Sequence, residues 1–145
     1  MNGTYLLGHC SDDPVRPPLS IQFRTSSGRE VWALEDDVTG IIKAVVCVAY
    51  TTDVPTTELE LDLYSQQACQ GGEHGDIAIF YTIWSYQAGA GRDLINELWD
   101  YLKRNRPVRR YITLSPRTEM ARKFHIRNGA FELQDNAETT NYEYS

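Results

Sequence analysis

Apolar and polar positions alternate through Leu19, Ile21 and Phe23 of "LSIQFRT", the spacing of a half-buried strand. "VWALE" reads as a second strand, set off by the turn chemistry of "SSGRE" and "DDVTG". "IIKAVVCVAYT" is a nearly continuous apolar run, which suits a central strand covered on both faces. These stretches predict a meander of three strands over the first third. Upstream, residues 1–18 show no usable period, and the prolines of "SDDPVRPP" predict extended or turned chain. Downstream, Leu59, Leu61 and Leu63 alternate with acids, which favours another half-buried strand; a short helix starting after the threonines of "PTTELELDLY" is the alternative. Gly71, Gly72 and Gly75 predict a loop.

The second half is patterned more strongly. "DIAIFYTIWSY" is rich in β-branched and aromatic residues and predicts a buried strand. Leu94, Ile95, Leu98, Trp99 and Leu102 fall on one face of a helix that Pro107 ends, and their role is core packing. "RRYITLS" is a strand. Ser115 is expected to cap a helix with Pro116 at its first position. Met120, Ala121, Phe124 and His125 share one side of that helix, and Asn128-Gly129 stops it. "AFELQ" and "TNYEYS" flank "DNAET" as a terminal hairpin. The order predicts a single domain over residues 1–145, α/β of the α+β type, with a largely antiparallel sheet and at least one helical crossover.

Charge changes the picture in one place. The net charge is −6, yet residues 92–127 hold 10 Lys/Arg against 4 Asp/Glu, while residues 1–91 hold 4 against 12. A basic block directly after a glycine turn reads as a solvated helix face or as an anion site. The acidic remainder disfavours nucleic acid, and no aromatic-basic interleaving supports stacking on bases. Cys10, Cys47 and Cys69 have no CxxC spacing, so neither a zinc site nor a disulfide framework is expected. No leader or membrane-length apolar run is apparent, and a reduced, cytoplasmic protein is expected.

The candidate chemistry lies in "YQAGAGRDL". A strand ends, Gly89 and Gly91 follow, and a helix begins. Amides at a helix start lack intrahelical partners and, with the helix dipole, form an anion site. The glycines let a phosphate reach the backbone, and Arg92 adds charge at the rim. A dinucleotide fingerprint needs a third glycine where Leu94 stands, and a P-loop needs Gly-Lys-Ser/Thr where Arg92-Asp93 stands, so both fail.

Taken with "SPRTEMARKFHIRNGAFEL", this stretch resembles the GCN5-related N-acetyltransferase (GNAT) family over residues 76–145. The family's Arg/Gln-x-x-Gly-x-Gly/Ala turn matches Tyr86 to Gly91, with Tyr86 in the first place. Its later Ala-x-x-Phe-Tyr-x-x-x-Gly-Phe motif matches Ala121, Phe124, His125 and Gly129. The segment before the glycines is shorter than usual and lacks the common proline. "TSSGRE" is expected to leave no room for the helix pair between the first two strands. The stripped-down form is similar to acetyltransferase-like proteins of bacteriophages.

The resemblance implies a mixed sheet with a V-shaped splay between the strands ending near Tyr86 and Ser115. It also implies direct transfer of an acetyl group from acetyl-CoA to an amine, without a metal. The amides of Gln87, Ala88, Gly89, Ala90, Gly91 and Arg92 would hold the pyrophosphate. The backbone from Thr82 through Ile83 and Trp84 to Ser85 would pair with the pantetheine arm, and Tyr86, Ser115 and Phe124 would also bind the cofactor. Arg117, Arg122 or Arg127 would meet the 3′-phosphate. A backbone N–H near Phe80 or Tyr81 would bind the oxyanion. His125 stands where the family often has a tyrosine acid, and Tyr81 leads the candidate bases, with Asp76, Glu73 and His74 behind it; His9 has no case beyond its type. The acidic first half favours a cationic acceptor: a lysine, an amino sugar or a polyamine. The alternative is a binding module docking on another protein, such as a host enzyme.

Overall fold

The computed structural model describes Asn2–Gly3 and residues 12–71 and 75–145. Among these, eight strands join one sheet in the order β1-β2-β3-β4-β5-β8-β6, with β7 on β8. The strands are β1 (Asn2–Gly3), β2 (Glu30–Glu35), β3 (Ile42–Thr51), β4 (Ile77–Ser85), β5 (Arg110–Thr113), β6 (Ser115–Pro116), β7 (Phe131–Asp135) and β8 (Thr139–Tyr144). Four helices flank them: α1 (Ile21–Thr25), α2 (Glu58–Gln70), α3 (Ala90–Asn105) and α4 (Glu119–Arg127). All adjacent pairs are antiparallel except β4 and β5, which α3 connects as a parallel crossover. This is the mixed, largely antiparallel α/β architecture that the sequence predicts.

Each face of the sheet carries its own core. Trp32, Val46, Phe80, Leu94, Leu98 and Leu102 pack on the α3 side, with Ile83 and Phe124 against them. Val31, Val45, Cys47, Leu61, Ile79 and Tyr81 pack on the α1/α2 side, with Leu19 and Phe23 against them. β3 has apolar side chains in both cores, which explains its unbroken apolar run.

Four expectations are corrected. "LSIQFRT" is not a strand: Ser20 caps α1 by accepting from the Phe23 N–H at 3.0 Å. Leu19 and Phe23, four apart, share the inner face, while Ile21 is exposed. "TSSGRE" therefore does not join the first two strands: the first strand is β1, which pairs with β2, and "TSSGRE" links α1 to β2. Residues 58–70 are the alternative helix, not a strand. Thr57 accepts from the Glu60 N–H at 3.0 Å, and Leu61, Ser65 and Ala68 are buried at helical spacing. Lastly, Ser115 does not cap α4. Ser115-Pro116 pairs with β8, and Thr118 caps the helix by accepting from the Ala121 N–H at 3.2 Å.

Candidate functional site

β4 and β5 run together only from Ile77↔Arg110 to Phe80↔Thr113, and the last bond joins the Leu114 N–H to the Phe80 carbonyl at 3.2 Å. Beyond it β4 continues through Ser85 with no β5 counterpart, so a cleft opens through the sheet. Its volume is about 310 Å³, and its walls include Phe80, Ile83, Ser85, Ser115, Phe124 and His125. At the fork, the β3–β4 register shifts: Cys47 faces Thr82 and Val48 faces Phe80, leaving Tyr81 as the extra residue of a bulge. That bulge lies where the sequence reading expects an oxyanion donor.

The glycine turn stands at the end of β4. Gly89 is the N-cap of α3 at φ +79°, a left-handed conformation that favours glycine. It supplies no capping side chain, so the amides of Gly91 and Arg92 lack the usual side-chain acceptor. Gly91 answers a different need. A Cβ there would sit 3.4 Å from the Phe124 ring and 3.8 Å from Ile83 Cδ1. Its bareness lets α3 start close against α4, which brings the positive end of the α3 dipole to the cleft mouth. Ala90 and Gly91 are buried, whereas Ser85, Tyr86, Gln87, Ala88 and Arg92 are exposed at that mouth. The Tyr86 hydroxyl donates to Asp12 at 2.7 Å and accepts from Trp84 Nε1 at 3.1 Å.

His125 is 5% exposed and lines the cleft. Its Nδ1 lies 2.7 Å from the Tyr144 hydroxyl, its ring stacks on Tyr142, and Phe124 meets it edge-on. With Nδ1 engaged, Nε2 is the nitrogen left for the cleft. Burial pulls the His125 pKa down to about 4, so the ring is neutral at pH 7. Linkage gives this a sign: the folded pKa lies below the unfolded value near 6.5, so stability is lost as pH falls between the two. From pH 7 to pH 5, urea unfolding should lose about 2 kcal/mol from this group. A His125→Gln protein should lack that loss.

The other candidates separate. Tyr81 borders the cleft, but its hydroxyl is sealed beside Cys47, and burial holds its pKa well above the ordinary tyrosine value. A phenol held protonated in this way offers no base at neutral pH. Asp76 sits at the far end of β4, paired with Arg109. Glu73, His74 and His9 lie outside the described residues. Arg117 forks onto Asp135 at 3.0 and 2.8 Å, and Arg122 meets Glu132 at 2.9 Å. Among the three arginines proposed for a phosphate, Arg127 alone has no ion-pair partner among the described residues. Its spacing from Met120 and Phe124 puts it on the stripe of α4 that borders the cleft.

The structure adds residues that the sequence did not disclose. Arg16 donates from Nε to the Tyr81 carbonyl at 2.8 Å, from Nη2 to the Leu114 carbonyl at 2.6 Å, and from Nη1 to Glu58 at 2.6 Å. It thus bridges β4 and β5 where they part. Asp13 accepts from Thr82, from the amides of Val15 and Arg16, and from Arg24 at 2.7 Å in a fully buried ion pair. Pro14 and Val15 line the cleft between them. Among the described residues, no group of three His, Cys, Asp or Glu could hold a metal. No helix there is long and apolar enough to cross a membrane.

A cleft splayed from a parallel strand pair beside a glycine turn can be set against known folds. Over 97% of its length the chain is similar to the GNAT domain of PAT from S. lividans, with a TM-score of 0.61, 15% identity and 82% of that chain covered. A Bordetella pertussis protein described as a GNAT-family acetyltransferase is similar over 97% of this chain and 87% of its own, with a TM-score of 0.58 and 12% identity. The fold is that of the GNAT proteins. Malonyl-CoA decarboxylase from Agrobacterium vitis also shares it, with a TM-score of 0.52 and 24% identity over 74% of this chain. This chain spans 28% of the length of that decarboxylase. No protein-family model and no curated protein matches the sequence. Within the fold, the splay corresponds to the expected V between the strands ending near Tyr86 and Ser115.

Proposed function

We propose that this chain is an acetyl-CoA-dependent N-acetyltransferase that moves the acetyl group directly to an amine. One observation carries the reading: β4 and β5 part beside an uncapped helix start, giving a slot for an extended thioester arm with an anion site at its mouth. The amides of Gln87, Ala88, Gly89, Gly91 and Arg92 hold the pyrophosphate, the Ala90 N–H being donated to the Gln87 carbonyl at 3.2 Å, and the uncovered edge of β4 from Thr82 to Ser85 pairs with the arm. The Phe124 ring, Ser115 and Ile83 exclude water around it. Arg127 meets the remaining phosphate.

The reaction breaks a carbon–sulfur bond and forms a carbon–nitrogen bond, and the proton lost by the amine ends on the sulfur. Backbone N–H groups at the Tyr81 bulge stabilise charge that develops on the carbonyl oxygen. His125, neutral and anchored by Tyr144, hydrogen-bonds the departing sulfur through Nε2. His125→Ala should therefore lower kcat by about 100-fold while leaving the Kd for acetyl-CoA within a few-fold. Equal turnover would return His125 to a packing role.

The direct test is thiol release from acetyl-CoA over a panel of amines, including polyamines, amino sugars and lysine derivatives. The acidic first half favours cationic members of the panel. Turnover supports the enzyme. Coenzyme A binding with no turnover of any amine supports instead a module that keeps the site and acts by docking on another protein.

A further inference from the structure

The residues around Arg16 bear on which amine is accepted, an inference that rests on the acetyltransferase reading above. α3 and α4 with the glycine turn occupy one face of the sheet. An extended thioester entering from that face leaves the opposite opening, on the α1/α2 face, for the acceptor. That opening is where residues 13–16 lie. Arg24, which holds Asp13, touches Cys47 Sγ at 3.4 Å and lies over the Trp84 ring, and both belong to the α1/α2 core. Arg16 reaches Glu58 at the start of α2.

A peptide that extends along a splayed strand needs free backbone groups on its edge. Here the two carbonyls at the fork, Tyr81 and Leu114, are already taken by a single guanidinium that is itself 8% exposed. Pro14 and Val15 fill the next layer of the wall. The segment is also fixed. Asp13 binds both following amides, Thr82 and Arg24, and Asp12 accepts from Tyr86 across the cleft mouth. Displacing it exposes a buried ion pair, so an arriving polypeptide cannot push it aside cheaply.

We propose that residues Asp13 to Arg16 close the acceptor side of the cleft so that it admits a small free amine and excludes a lysine embedded in a polypeptide. Pro14 and Val15 form the wall, and Arg16 fixes it to both strands.

The test uses two acceptors with the same reacting group: 1,5-diaminopentane, and a heptapeptide of small neutral residues around one lysine with blocked ends. Calorimetry with acetyl-CoA comes first, on the wild type and each variant. The wild type should show a kcat/KM at least about 100-fold higher for the diamine. Val15→Ala, which trims the wall but keeps every hydrogen bond of Arg16, should narrow that ratio several-fold. Arg16→Ala should narrow it further, and if that protein fails to fold, Val15→Ala still decides. Comparable kcat/KM for peptide and diamine in the wild type would overturn the proposal and leave acetyl transfer standing. An unchanged ratio in Val15→Ala would overturn it too. Absence of acetyl-CoA binding would remove the acetyltransferase reading and this proposal with it.

Discussion

Gly89→Asp should abolish coenzyme A binding in a protein that remains folded. Asp tolerates the left-handed conformation better than most residues, and Gly89 sits at φ +79° with no Cβ contact closer than 3.9 Å, to the end of the Arg92 side chain. Its carboxylate would stand beside the open amides of α3, at some cost in stability from the left-handed backbone. Those are the amides assigned to the pyrophosphate. The variant thus occupies the anion site with its own charge and adds like-charge repulsion. Two such charges at about 4 Å repel by about 4 kcal/mol at an effective dielectric of 20, so affinity should fall by at least about 100-fold. Gly89→Asn has the same shape without the charge and should lose far less. Calorimetry on the pair, with thermal melts of both, separates loss of the site from loss of the fold. Equal affinity in all three proteins would detach the turn from coenzyme A.

Asp13→Ala should be the most destabilising single change, by about 3–5 kcal/mol. Both side chains of the Asp13–Arg24 pair are 0% exposed. Burial works against the charge of Arg24, yet its hydrogen bonds to Asp13 and Cys47 keep its pKa above the ordinary guanidinium value. Truncating Asp13 strands that cation in the interior and frees Thr82 and the amides of Val15 and Arg16 together. A loss of this size is a large part of the 5–15 kcal/mol typical of a domain. Arg24→Met combined with Asp13→Leu removes both charges and should recover much of the stability, because no unpaired ion remains. Urea unfolding of the two single variants and the double variant measures the coupling. A loss below about 1 kcal/mol in Asp13→Ala would contradict the buried pair.

How much was legible in the sequence depended on how far each signal reached along the chain. β4 and α3 were readable because one period ran through each: β-branched and aromatic residues in β4, and Leu94, Leu98 and Leu102 on one face of α3. The glycine turn was legible for the same reason, since it lies within six consecutive residues. α1 and α2 were misread because alternation and helical spacing coincide over short runs. Leu19, Ile21 and Phe23 fit both, and only the exposure of Ile21 separates them. In α2, Leu59 and Leu63 are exposed while Leu61 is buried, so the alternation was real but marked no sheet face. A local cue was available: Thr57 and Glu60 cap α2, with Glu60 also accepting from the Thr56 amide at 2.8 Å. Ser115 drew the cap of α4 because Ser-Pro and Thr-Glu both mark helix starts, and its side chain instead bonds Thr113 at 2.8 Å.

The cleft's other wall was not legible at all. Arg16 finds its partners 65 and 98 residues away, and Asp13 finds Thr82 69 residues away. In sequence, "DDPVRPP" is a charged, proline-rich stretch like many solvated turns, and no period distinguishes a buried arginine in it. The neutral state of His125 was equally hidden, since it follows from burial against Tyr142 and Tyr144, which arrive from β8.

The central claim is that the open amides at the start of α3 receive the diphosphate of coenzyme A. Amide-resolved NMR of the labelled protein during titration with coenzyme A tests it most directly. The account predicts the largest amide shifts at Gly89, Gly91 and Arg92, with smaller ones along Ile83 to Ser85. Saturation of the titration with these signals unmoved, or no shift anywhere at millimolar coenzyme A, would contradict it.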